Sequence, residues 1–132
     1  MNSIEPSKNY ISLGKLINRL SEIEYYQTFA KTLLMATDAI PSDSDNNNYV
    51  KHMFHYFIDN ENLDVYANNQ IIDKNKFNSF QEFLDQSNTE QEANAQLDWN
   101  KDIYIDLNDL KKLYANKCIV FPVALIRELQ NT

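Results

Sequence analysis

Asp102-Ile103-Tyr104-Ile105-Asp106-Leu107-Asn108-Asp109-Leu110-Lys111-Lys112-Leu113-Tyr114 changes its hydrophobic period part-way along. Up to Asp106, Ile103 and Ile105 alternate with their neighbours, the two-residue repeat of a half-buried strand. From Leu107 onward the apolar positions fall at 107, 110, 113 and 114, the spacing of one helix face. The stretch therefore predicts a strand over 102–106 running into a helix over 107–114. Asp106-x-x-Asp109 suits the opening of that helix, and Lys111, Lys112 and Lys117 lie toward the end where its dipole favours cations.

The rest of the chain divides around this junction. Residues 1–10 read as a loose lead-in. Ser12 is a good N-cap, with Ile11 and Leu16 placed as a hydrophobic staple and Leu13, Leu16, Ile17 and Leu20 following at helical spacing. Tyr26, Phe29, Ala30, Leu33, Leu34 and Thr37 line one face of a second helix over 24–38. Pro41 begins a turn-rich linker over 41–48. A third helix spans 49–59, presenting Tyr49, Met53 and Phe57, with Phe54 and Tyr56 beside them. Leu63-Asp64-Val65-Tyr66 alternates like a short strand, with another at Ile71-Ile72. Phe77, Phe80, Phe83 and Leu84 mark a short aromatic-faced helix. Residues 85–98 read as loop, with Thr89-x-x-Glu92 a capping box for an exposed turn. Cys118 to Phe121 reads as a buried strand, and Pro122 then starts a last helix through Leu129. The expected fold is α+β: one predominantly helical domain over 1–132, with a small sheet built from 63–66, 102–106 and 118–121.

Composition narrows the function. A chain of 132 residues that is 43% hydrophobic and 12% aromatic can bury one core and is not expected to be disordered. Gly14 is the only glycine. Dinucleotide fingerprints, phosphate-cradling loops and the nucleophile elbow all need more, because the backbone there must turn tightly and approach its ligand closely. Cys118 is the single cysteine, which rules out an intrachain disulfide. Its apolar setting predicts a small buried hydrophobe. The longest apolar run, 118–126, is too short for a membrane span of about 20 residues. Met1 to Pro6 has neither the basic nor the apolar segment of a secretory signal. The expectation is a cytoplasmic protein that needs no cofactor and is not an enzyme.

Charge is unevenly spread. Between Asp38 and Asp109 fifteen acidic residues stand against four basic ones, a net of −11, while 1–37 carry +1 and 110–132 carry +3. Such a block attracts basic surfaces and speeds association with them. It also repels nucleic acid and anionic lipid, and the chain has only Arg19 and Arg127 as arginines. A solvated acidic face that aids solubility is the plainer explanation. The sharper one is a carboxylate surface that mimics DNA and fills a partner's basic groove. Asp64, Tyr66, Asp98, Trp99, Asp102, Tyr104 and Asp106 are the candidate partner-binding residues, combining charge for steering with rings for contact. For Trp99 a place in the core is the preferred reading.

Other constellations are weaker. His52, His55 and Asp59 stand at spacings that put them near one helix face, a plausible start to a metal set if a loop residue such as Asp45 joined them. The H-E-x-x-H pattern is absent, and no metal is expected. Cys118 has no local base to activate it. Paired carboxylates are too common in so acidic a chain to mark acid–base catalysis.

Two stretches, Tyr10-Ile11-Ser12-Leu13 and Ile103-Tyr104-Ile105 followed by Asp109-Leu110-Lys111-Lys112-Leu113, resemble a pattern in small bacterial proteins carried by phages and other mobile elements. There the first stretch resembles the start of a winged-helix or helix-turn-helix. This chain departs from that pattern in having no basic recognition helix between the two. The expected function is an acidic binding protein that docks on a basic, nucleic-acid-binding surface of a partner such as a nuclease. Inhibitors of bacterial defence nucleases (anti-CRISPR proteins) and toxin-neutralising immunity proteins fit that description. The alternatives are a regulatory or adaptor protein with a degenerate winged helix touching nucleic acid or a scaffold through Lys15 and Arg19, and a small metal-binding domain.

Overall fold

A computed structural model describes residues 9–40, 48–67, 70–90 and 102–131. Among them the order is β1 (Tyr10–Ser12), α1 (Leu13–Leu20), α2 (Glu24–Ala36), α3 (Tyr49–Asn60), β2 (Val65–Ala67) and β3 (Gln70–Ile71). A 3₁₀ turn (Lys74–Lys76), α4 (Phe80–Glu90), β4 (Ile103–Asp106), α5 (Leu107–Asn116) and α6 (Val123–Gln130) follow. The four strands form one antiparallel sheet in the order β1-β4-β2-β3. The fold is α+β and mainly helical, as the periodicity implies. No helix among the described residues is long and apolar enough to cross a membrane.

The change of period at Asp106 is real. Its carboxylate caps α5 by accepting the Asn108 N–H at 2.7 Å, which satisfies one of the unpaired donors of the first turn. Ser12 does the same for α1, accepting from Lys15 N–H at 3.3 Å. Inward-facing Ile11, Ile105 and Val65 stand side by side across three strands, with Ile103 beside Ala67 in the next row. All five belong to the core. On the helical side, Val50, Met53, Phe54, Phe57 and Ile58 of α3 are buried along one stripe, and Leu13, Leu16, Leu20, Leu110 and Tyr114 join them with almost no exposure. Each such side chain contributes roughly 1.5–3 kcal/mol by leaving water.

Several expectations fail for identifiable reasons. Residue 10 belongs to β1 rather than to a lead-in. With three residues and one inward apolar side chain, Ile11, β1 is too short for alternation to show. The helix that starts at Phe80 extends past 85 to Glu90 and takes in Thr89, while Glu92 of the expected capping box lies outside the described residues. Residues 91–98, like most of the 41–48 linker, fall outside the described residues.

The largest departure is at 118–121, which is not a strand. Cys118 is exposed and has φ 60°, the left-handed conformation that ends a helix. Ile119 N–H reaches Tyr114 C=O at 2.9 Å and Cys118 N–H reaches Ala115 C=O at 3.2 Å, the bond pair of a Schellman motif. The backbone that a ladder would have paired is held by two phenols instead. Val120 N–H donates to Tyr25 Oη at 3.2 Å, and Tyr26 Oη donates to Val120 C=O at 2.7 Å.

Cys118 is not alone. Asp38, after α2, and Asn62, after α3, have φ 58° and 61°, and Ala39 N–H to Leu34 C=O at 2.8 Å repeats the same closure. Glycine is the usual residue in these places, yet the only glycine sits buried inside α1. A side chain in this conformation costs about 1–2 kcal/mol, part of which glycine returns through its freer unfolded chain. Cys118→Gly is therefore expected to stabilise the protein by about 0.5–1 kcal/mol, seen as a higher urea midpoint at unchanged m-value. A lower midpoint would show that the Cys118 side chain supports the turn.

Candidate partner-binding face

Alternation that sends Ile103, Ile105 and Val65 inward sends Tyr104, Asp106 and Tyr66 to the opposite face of the sheet. There Tyr10 lies across from Asp106, while Ser12, Tyr104, Tyr66 and Ile71 form the adjoining row. The Tyr10 and Tyr66 rings meet edge to face, 5.3 Å between centroids. Continuing the β2–β4 register places Asp64 opposite Asp106. Asp109, in the first turn of α5, completes a group of three carboxylates.

These groups feel one another. Burial pushes the Tyr66 phenol up to about 12, helped by Tyr10, Asp64, Asp106 and Asp109. The Asp109 carboxyl is also raised, first by burial and then by the charges of Asp106 and Asp64, with Lys112 opposing. Both shifts have the same two causes, burial first and then the neighbouring negative charges. Lys74 Nζ, 3.6 Å from Asp64, offsets part of it.

Of the seven residues predicted from sequence, Asp64, Tyr66, Tyr104 and Asp106 come together here. Asp102 precedes β4 and is half-buried, but it does not contribute to the shifts of Tyr66 or Asp109. Asp98 and Trp99 lie outside the described residues. Sequence reasoning missed Tyr10 and Asp109. The Tyr10-Ile11-Ser12 alternation was the available signal for one, and Asp109 was absorbed into its role at the helix start. The two stretches that carry the family resemblance pair directly with one another as β1 and β4.

Among the described residues, four other central carboxylates have structural partners. Asp59 Oδ1 accepts Phe80 N–H at 2.8 Å, Asp73 Oδ1 accepts Asn75 N–H at 3.0 Å, and Glu82 Oε1 accepts Asn78 N–H at 2.8 Å. Glu61 pairs with Lys117 at 2.8 Å. Arg19, which a nucleic-acid-touching winged helix would use, is bound to Glu128 at 2.8 Å and lies 3.9 Å from Glu22.

His55 packs against the Phe80 ring at 5.5 Å. Burial, then the charges of Lys51 and His52, bring its pKa down to about 4, so the imidazole is neutral at pH 7. Among the described residues no group of three His, Cys, Asp or Glu is arranged to hold a metal ion. Cys118, expected inside the core, is at the surface. Set against protein-family models, curated proteins and solved structures, the chain has no match in any of the three.

The charge crowding is directly measurable. Unfolded tyrosine ionises near pH 10, whereas Tyr66 holds its proton to about 12. Its contribution is therefore a loss of stability as pH rises from 10 to 12, when the unfolded chain sheds a proton that the folded chain keeps. Asp64→Asn and Asp109→Asn should each bring the Tyr66 titration down, followed through its ring signals by NMR. An unchanged midpoint in both would mean that the carboxylates do not act on this ring.

Proposed function

We propose that this chain is a stoichiometric binding protein that docks the tyrosine- and aspartate-bearing face of its sheet on a basic surface of another protein. The observation that carries the reading is the gathering of Asp64, Asp106 and Asp109 beside Tyr10, Tyr66 and Tyr104. Like charges held together at a half-buried surface disfavour one another in the free chain, and an incoming guanidinium or ammonium relieves them. Tyrosine rings supply rigid contact area and take a cation over their faces. A partner whose groove normally receives phosphates presents the matching charge. Occupying that groove blocks nucleic-acid access, the manner of action of nuclease inhibitors and of toxin-immunity proteins.

Isothermal titration against RNA-guided nucleases and ribonuclease toxins, each freed of nucleic acid, tests the reading. The expected result is one-to-one binding to a member of that set, weakened by salt and competed by its nucleic acid. Combining Asp64→Asn, Tyr66→Ala and Asp109→Asn should raise Kd by roughly tenfold or more, since truncated hot spots cost about 2 kcal/mol or above. Binding untouched by those substitutions, or direct binding of this chain to DNA or RNA, would refute it.

A further inference from the structure

A cleft of about 210 Å³ lies where the end of α3, the 3₁₀ turn and the start of α4 converge. Its apolar wall is Ile58, Ile72, Phe77, Phe80 and Phe83. Three of the seven phenylalanines of the chain thus border one opening. Phe77 meets Phe83 edge to face at 5.2 Å, and Phe80 stacks on Phe83 at 5.9 Å. Phe77 and Phe83 remain half-buried, so the cluster is not closed over by its own packing.

The polar lining decides what kind of molecule fits. Asp59 and Lys74 contribute one charge of each sign, and both are engaged. Asp59 holds the Phe80 N–H, while Lys74 Nζ donates to Leu63 C=O at 3.1 Å and Ile58 C=O at 3.4 Å and pairs with Asp64. The start of α4 offers no ready anion site, because Ser79 Oγ accepts Glu82 N–H at 3.1 Å and Glu82 returns to Asn78 N–H. Asn62, Asn75 and Asn78 are among the lining residues and carry uncharged donors and acceptors.

We propose that this cleft binds a neutral, single-ring aromatic molecule carrying a hydrogen-bonding substituent. Size agrees, since an apolar cavity of about 150 Å³ takes up benzene, and the extra room here accommodates a hydroxyl or amide. The ring lies against Phe77 and Phe83, and the substituent meets the asparagine amides. Lys74, which lines the cleft and pairs with Asp64, links this site to the acidic face of the sheet.

The test is a ¹H–¹⁵N chemical-shift titration of the full chain with phenol, alongside cyclohexanol, benzoate and benzylammonium. Phenol should produce saturable shifts confined to residues 58–62 and 72–83, and bind more tightly than the other three. Phe77→Ala should weaken it by about fivefold, the worth of one aromatic pair. Asn78→Ala, whose exposed side chain leaves the packing alone, should weaken it as well and keeps the test valid if Phe77→Ala does not fold. Shifts scattered over the surface, equal binding of cyclohexanol, preference for either charged ring, or indifference to Asn78→Ala would each overturn the proposal.

Discussion

β4 is flanked on both sides, and that placement organises the molecule. Ile105 sits between Ile11 and Val65 with no exposed surface, so one residue joins the amino-terminal strand, the central hairpin and the helical core. The pleat then does the rest. Because successive side chains must point to opposite faces, burying Ile103 and Ile105 obliges Tyr104 and Asp106 to face the other way. Core and candidate interface are two sides of one strand.

Scarcity of glycine shapes the connections. Three helices end on Asp38, Asn62 and Cys118 in the left-handed conformation, and each must hold a side chain where a hydrogen atom would be easier. All three ends are closed by backbone bonds from the following residues, with Leu63 N–H reaching Phe57 C=O at 3.0 Å after α3. That last end is further assisted by Lys74, whose ammonium gathers the carbonyls of Ile58 and Leu63. That same lysine is the counter-ion of Asp64. The end of α3 is thereby coupled to the charge of the sheet face and to the wall of the aromatic cleft.

Among the described residues, the acidity of the central stretch has two origins that a charge count merges. Asp59, Asp73, Glu82 and Asp106 accept backbone N–H groups at helix starts and turns, where local geometry demands an acceptor. Asp64 and Asp109 have no such bond and stand with Asp106 on the tyrosine face. Both uses call for the same residue type, so a net charge of −11 over a stretch does not separate them. Spacing separates them only in part: Asp73 and Asp106 stand one place before a helix and cap it, Asp64 and Asp106 alternate with strand hydrophobes, and Asp59, Glu82 and Asp109 lie inside helices.

Local pattern alone gave helices over 13–20, 24–38, 49–59 and 107–114, each within two residues of its observed end, with the Ser12 and Asp106 caps and the alternation around Ile105, because period and capping act over a few neighbouring residues. It also placed Tyr66, Tyr104, Asp64 and Asp106 on one side of their own strands. Only the tertiary structure decided that those strands are neighbours, that Tyr10 and Asp109 join them, and that β1 rather than 118–121 completes the sheet. Pairing partners are chosen across a hundred residues of chain. An apolar run such as 118–121 reads as a strand until the hydroxyls of Tyr25 and Tyr26, nearly a hundred positions away, take its backbone groups.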